Sequence, residues 1–299
     1  MNQQRLVLWN PYARQADANT DLKAEIQNTP DTRIHELHEQ DDLKAFLDNQ
    51  TDHPLLVIAG GDGTIHRTLN QVNASNENFD FAVLPLGTGN DLAHATFGKI
   101  SPWDCWQAIT ENNLISRKLD VGKVRVDREE LYFFNSIGGG ISAEFSKNVT
   151  KGEKKTLGSL TYLKGSLEVI TNPKRFHIKY RLDDGEWNER EIANFFASSS
   201  SICGGGLEIA PGAKNNDGML HFITYRAMNS IDRVLLMTDY LAGRYEENEA
   251  VKSEVCNRLE LNSEEMLKVS IDGEIKSGRH FQIELFPQAL ELQIPDLAG

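Results

Sequence analysis

Leu55-Leu56-Val57-Ile58-Ala59-Gly60-Gly61-Asp62-Gly63-Thr64 is the stretch whose reading decides the fold. Its first half is short, uncharged and partly β-branched, so it predicts a buried strand. Beyond the glycines, Ile65, Leu69 and Val72 recur at helical spacing, which predicts a helix. The glycines therefore form a strand-to-helix turn. The N–H groups that open a helix lack partners within it and offer a seat for a phosphate. Phe81-Ala82-Val83-Leu84-Pro85 repeats the plan, ending in Leu86-Gly87-Thr88-Gly89-Asn90-Asp91 before a helix that opens with Leu92 and Ala93. Two such turns in one sheet lie at the carboxyl ends of strands, where open α/β sheets bind ligands.

The chemistry of the first turn narrows the ligand. A Walker loop carries a Lys to its phosphates, whereas this loop carries Asp62. A carboxylate repels a polyphosphate unless a divalent cation or an oriented water lies between them, so Asp62 implies a metal-nucleotide. Gly-Asp-Gly alone also describes an ordinary tight turn; the second loop raises the functional reading.

Together the two loops resemble the nucleotide site of the diacylglycerol kinase catalytic-domain family, in particular its soluble bacterial lipid kinases. The first motif alone is shared with NAD kinases and sphingosine kinases, while the pair in this order and spacing is more specific. The resemblance implies that Gly60, Gly61, Asp62, Gly63, Thr64, Gly87, Thr88, Gly89, Asn90 and Asp91 bind ATP with Mg²⁺.

Composition sets bounds. A chain of 299 residues exceeds a comfortable single core, so two domains are expected. Hydrophobic content of 39% with 25% charged residues fits an ordinary globular protein. The sequence shows neither a signal-peptide start nor an apolar run of bilayer length, which predicts a cytoplasmic protein. Cys105, Cys203 and Cys256 are too scattered for a disulfide framework or a zinc site. A net charge of −13 argues against a nucleic-acid partner and makes any contact with an anionic membrane local and transient.

Up to Ile109 the chain alternates strand and helix, with Leu6 to Trp9 and Thr32 to Leu37 as further strands. This predicts a doubly wound parallel sheet. From Arg117 runs of strands take over, placing a boundary near Gly122; with the resemblance this implies a nucleotide-binding domain over residues 1–122 and a β-rich lipid-substrate domain, an antiparallel β-sandwich, over 123–299. Ile141 to Val149 and the stripe Leu160, Leu163, Leu167 and Ile170 read as helices; Lys151, Lys154 and Lys155 precede the stripe. That basic cluster either touches a membrane or is a solvated face beside core.

The resemblance extends over nearly the whole chain. It implies a nucleotide contact at Asn10, in an Asn-Pro turn, and a cleft position for Asp120; Glu274 is grouped with the nucleotide-binding residues. It implies a structural Mg²⁺ held by Asp217 with the carbonyls of Lys214 and Met219. In Asp272-Gly273-Glu274 it implies that Asp272 is the general base on the acceptor hydroxyl. Two features depart from the family pattern. Arg67 stands where an acidic residue is usual, and Leu37-His38-Glu39 replaces a Thr at the end of the second strand. Arg67 either meets a phosphate or reports altered nucleotide handling.

The function implied is transfer of the γ-phosphate of ATP to a hydroxyl of a membrane lipid, diacylglycerol first and phosphatidylglycerol behind it. The protein would act at the inner face of the membrane as a peripheral protein, and a homodimer is one open assembly. Rival readings are an NAD kinase type of enzyme with a soluble substrate, a sphingoid-base kinase and a non-catalytic lipid-binding regulator.

Overall fold

The computed structural model describes residues 4–50, 53–72, 79–140, 142–143, 174–226 and 248–297. The chain divides into two compact units, Met1–Asp120 with Gly204–Gly206 and Gln288–Gly299, and Val121–Cys203 with Leu207–Pro287. The helices expected over 141–149 and 160–170, with their lysines, lie outside the described residues apart from Ser142 and Ala143.

The first unit is built on β1 (Arg5–Trp9), α1 (Thr20–Asn28), β2 (Thr32–Glu36), α2 (Leu43–Asp48), β3 (Leu55–Gly60), α3 (Asp62–Val72), β4 (Asp80–Pro85), α4 (Asp91–Phe97) and α5 (Pro102–Thr110). Its strands pair in the order β2-β1-β3-β4, all parallel, with Trp9 opposite Ala59 and Gly60 opposite Pro85. β1 and β3 are buried along their whole length, as strands covered on both faces must be, and this explains the apolar runs Leu6–Trp9 and Leu55–Ala59. β2 is half exposed and stands at the edge. Strand order reverses between β1 and β3, and the crevice at the carboxyl ends of such a pair is where doubly wound sheets take ligands. Asn10 follows one of these ends and Gly61 the other.

The sequence-based division at residue 122 puts 204–206 and 288–299 in the second domain; in the structure both segments group with the first unit. The physical reason for the latter is an apolar alternation: Leu290, Leu292 and Ile294 are buried, and Leu292 pairs in parallel with Phe81 of β4. Period-two patterning marks a strand without naming its partner.

The second unit is antiparallel. It contains the end of β5 (Leu114–Val126), then β6 (Glu129–Phe133), β7 (Ser136–Gly140), β8 (Phe176–Leu182), β9 (Asn188–Ser198), β10 (Ile202–Cys203), β11 (Leu207–Glu208), β12 (Leu220–Arg226), β13 (Val251–Cys256), β14 (Arg258–Ile271) and most of β15 (Glu274–Pro295). β9 pairs with β8 over Asn188 to Ile192 and with β7 over Asn194 to Ser198; β14 likewise meets β8 and then β7. In β8, Phe176, Ile178 and Tyr180 face inward while His177 and Lys179 face solvent, the alternation of a sheet with one wet face. Those inward residues join Phe133, Phe195, Phe222, Leu259, Val269 and Phe281 in one core. Tyr180 and Phe195 flank Phe222 at ring-centre distances of 5.1 and 6.0 Å, within the range where aromatic pairs add to simple burial.

Candidate functional site

In the first unit the two glycine turns meet backbone to backbone. A methyl group built on Gly87 would lie 2.5 Å from the Gly61 Cα and 2.6 Å from Asn90 Oδ1; one built on Gly61 would lie 2.8 Å from the Gly87 Cα. Only glycine fits at either position. The Leu86 N–H donates to the Gly60 carbonyl at 2.9 Å, so the strands stay paired into the turns. α3 begins at Asp62, one residue after the glycine pair. Asp62, Gly63 and Thr64 therefore occupy its first turn, where an acidic side chain complements the helix dipole.

Asp62 also reaches the second turn: its Oδ1 accepts the Leu92 N–H at 3.2 Å. Thr64 Oγ1 accepts a 2.7 Å bond from Asn10 Nδ2, which ties the end of β1 to the first turn of α3. Asn90 is in the left-handed region at φ 52°; its Oδ1 accepts the Gly87 N–H at 2.8 Å, and its Nδ2 donates to the carbonyls of Pro85 and Gly87. Asparagine suits this place because its short amide can bond the local backbone and tolerate positive φ. His94 is on the same helix, α4. Burial chiefly, with Lys99, holds its pKa below the ordinary value, and the charge of Asp62 acts in the opposite sense.

Asp91 is buried, and its carboxylate accepts the N–H groups of Gly205 at 3.0 Å and Gly206 at 2.9 Å. Gly205 and Gly206 have φ of 93° and 95°, a conformation that disfavours any side chain. Asp91 thus anchors a triple-glycine turn, a task that its place in the motif did not suggest. Asp120, buried to 1% exposure, accepts the Gln288 N–H at 2.8 Å.

Arg67 packs against the segment that follows β2. Its Nη2 donates to the carbonyls of His38, Glu39 and Asp41 at 3.0, 3.2 and 3.4 Å. These belong to the segment after β2 where the expected Thr is missing, so the two departures from the family pattern are in contact with each other.

In the second unit, Asp272 and Gly273 form the two-residue turn from β14 to β15, with Asp272 at φ 45°. Both residues at positive φ is the hairpin turn that Asp-Gly favours. The Asp272 carboxylate accepts three backbone N–H bonds, from Phe134 to Oδ2 at 2.6 Å and from Asn135 and Ser136 to Oδ1 at 3.1 and 2.9 Å. Its own N–H donates to the Ser136 carbonyl at 3.0 Å. The Asn135 carbonyl accepts from the Ser198 hydroxyl and the Ser199 N–H. Asn135 Oδ1 and Ser200 Oγ are buried beside this network without hydrogen bonds. Glu274 is exposed and pairs with Lys276 at 2.8 Å.

The expected Mg²⁺ loop has a different internal logic. Asp217 Oδ2 accepts the Lys214 N–H at 3.0 Å, Oδ1 accepts the Met219 N–H at 2.9 Å, and the Lys214 carbonyl accepts the Asp217 N–H. The neighbouring titratable group is the His221 imidazole, 3.5 Å from Oδ2. A carboxylate, backbone carbonyls and water are the kind of oxygen ligands Mg²⁺ takes, and the two amides that Asp217 accepts leave lone pairs on both of its oxygens. Among the described residues no group of three or more His, Cys, Asp or Glu side chains gathers for a metal. Asp62, a half-buried carboxylate at the expected phosphate seat, likewise fits a Mg²⁺ whose other ligands are substrate phosphates and water.

Sequence reasoning passed over Arg14 and Gln15. Gln15 Nε2 donates to the Gly87 carbonyl at 2.7 Å and Arg14 Nη1 to Thr88 Oγ1 at 3.1 Å. Their position just after the Asn-Pro turn was the available signal.

Comparison with known proteins agrees with this geometry. Residues 4–124 match the diacylglycerol kinase catalytic domain, and residues 135–294 match the YegS C-terminal NAD kinase beta sandwich-like domain. A diacylglycerol kinase of Bacillus subtilis is 30% identical over 223 residues, covering 74% of this chain and 71% of that protein. A probable lipid kinase YegS-like protein of Chromohalobacter salexigens is 29% identical over 81% of this chain and 76% of its own. The crystal structure of a putative diacylglycerol kinase from Bacillus anthracis superposes with a TM-score of 0.78 at 26% identity, over 99% of this chain and 96% of that one. An NAD kinase from Archaeoglobus fulgidus shares the fold at a TM-score of 0.52 and 14% identity, over 98% and 94% of the two chains. With both halves matched and the paired glycine turns in place, this chain belongs to the diacylglycerol kinase catalytic-domain family and is a kinase.

Proposed function

We propose that this chain transfers the γ-phosphate of ATP to a hydroxyl of a membrane lipid, with diacylglycerol, yielding phosphatidic acid, as the first acceptor and phosphatidylglycerol as the second. The observation that carries this reading is the contact of Gly61 with Gly87 beside Asp62. It brings two helix starts and one carboxylate together as a seat for a triphosphate. Asn10, Thr64 and Asn90 hold the turns in shape. Asp62 would hold the Mg²⁺ of the nucleotide, which neutralises phosphate charge when bound.

Phosphoryl transfer is mostly positioning and charge neutralisation, with one carboxylate to orient and deprotonate the alcohol. Asp272 takes that role: three backbone donors fix its carboxylate as an acceptor for a hydroxyl proton. Asp91 and Asp120 keep the backbone in place, and Asp217 closes its own loop. Contact with a membrane surface is transient in this reading, and among the described residues no helix is long and apolar enough to cross a bilayer.

The test is transfer of radiolabel from ATP across diacylglycerol, phosphatidylglycerol, sphingosine and NAD, each presented with Mg²⁺. Label in a glycerolipid is the expected result. Label in NAD alone would establish the soluble-substrate reading, and label in sphingosine alone the sphingoid-base reading.

A further inference from the structure

Arg14 lies in the loop between β1 and α1, four residues beyond the end-of-strand Asn10. Its guanidinium rests on the second glycine turn, with Nη1 donating to Thr88 Oγ1 at 3.1 Å. The other terminal nitrogen, Nη2, is buried and makes no hydrogen bond. A guanidinium is a permanent cation with a fork of donors. Burying one of its N–H groups without a partner is costly, and such a group in a native structure calls for an explanation. Next to it, Gln15 is bonded to the Gly87 carbonyl through its side chain and to the Leu86 carbonyl through its N–H at 3.0 Å, so the loop is clamped to the turn at two places.

We infer that Arg14 is a phosphate-binding residue of the nucleotide site, a role that rests on the proposed seating of ATP on the glycine turns. A phosphate oxygen matches the guanidinium fork in charge and geometry, and would supply the partner that Nη2 lacks. The seat also carries Asp62, whose negative charge a permanent cation on the adjoining loop offsets for an anionic ligand. Thr88 then acts as the side chain that positions Arg14, which accounts for a hydroxyl between two glycines.

Calorimetric titration of the full chain with ATP, with inorganic tripolyphosphate and with adenosine separates phosphate recognition from a merely structural role. In Arg14→Gln, affinity for ATP and tripolyphosphate is expected to fall about 10- to 100-fold, the scale of one charged hydrogen bond. Adenosine affinity should be unchanged, and the ATP affinity of the variant should depend less steeply on salt. Arg14→Lys should recover part of the loss. An equal fall for adenosine and ATP, or ATP binding by Arg14→Gln equal to wild type, would overturn the inference. Wild-type protein that binds neither ATP nor tripolyphosphate would instead remove the nucleotide reading on which it rests.

Discussion

Gly61 and Gly87 touch through their backbones: either residue given a methyl group would drive it to within 2.8 Å of the other's Cα. The neighbours are main-chain atoms that cannot swing aside. Gly87→Ala is therefore expected to destabilise the fold by about 1–3 kcal/mol, the usual scale for forced overpacking, and to abolish nucleotide binding. Gly63 is the internal control. A methyl group there meets nothing within 4 Å, and alanine in a helix is favoured over glycine by up to ~1 kcal/mol. Thermal melting of the two variants, with and without ATP, checks the contrast; equal melting points would dismiss the steric account.

Asp91 and the glycines at 205 and 206 are joined by charge-assisted bonds across more than a hundred residues of sequence. Asp91→Ala leaves the N–H groups of two exposed glycines without their acceptor; water replaces it in part, so the cost should be about 1–2 kcal/mol. Asp91→Asn should recover part, because its amide oxygen can accept both N–H groups at the Oδ1 position but without the carboxylate charge. Chemical denaturation measures both. If Asp91→Ala melts like wild type while losing transfer, the carboxylate serves the chemistry rather than the turn.

Arg67 gives one nitrogen to three carbonyls of residues 38 to 41. Arg67→Ala should loosen that segment at a cost of about 1–2 kcal/mol, and Arg67→Lys should restore only part, since a point charge does not reproduce the planar fork. Hydrogen exchange at His38 to Asp41 is the direct readout. Unchanged exchange there, together with weakened ATP binding, would assign Arg67 to a phosphate instead.

The elements of the first unit were legible because each announces itself locally. β1 from Leu6 and β3 to Ala59 are apolar runs, α3 has helical spacing, and the glycine turns punctuate them. What local patterning cannot carry is which distant atoms meet. Asp91 reads as one more polar residue of a motif until Gly205 and Gly206 are placed against it. Asp272 reads as a hairpin residue until the amides of Phe134 to Ser136 converge on it. The strand at residues 288–295 went unread, and its parallel partner β4 lies two hundred residues earlier. Arg67 looked like a candidate phosphate ligand because its charge was legible and its acceptors, being backbone carbonyls, were not.

The cysteines give a pH test. Burial pushes the thiols of Cys105 and Cys256 up to about 12, whereas Cys203 is partly exposed. An unfolded thiol ionises near 9.0. Between these values the unfolded chain has lost protons that the folded one keeps, so stability should fall as pH rises above 9.0. Denaturation midpoints at pH 8 and pH 10 measure this. In the native protein at pH 8 a thiol reagent should modify Cys203 alone; modification of Cys105 at the same rate would contradict its burial.

Asp272 combines two tasks that substitution can separate. Its carboxylate accepts three N–H bonds that pin residues 134 to 136 to the β14–β15 turn, and it is the proposed acceptor of the substrate proton. Asp272→Asn keeps the size but turns one acceptor into a donor that faces a backbone N–H, so both stability and transfer should fall. Loss of transfer should be about 10²-fold or more if the group orients and deprotonates the alcohol. ATP affinity should stay at the wild-type value, because the glycine turns and Asp62 belong to the other unit. Asp272→Glu preserves the charge but adds a methylene, which moves the oxygens out of register with the three donors. It should therefore lose transfer almost as fully while proton-accepting ability remains. A variant Asp272→Asn that folds, binds ATP and transfers phosphate at the wild-type rate would reduce this carboxylate to an anchor of the β14–β15 turn.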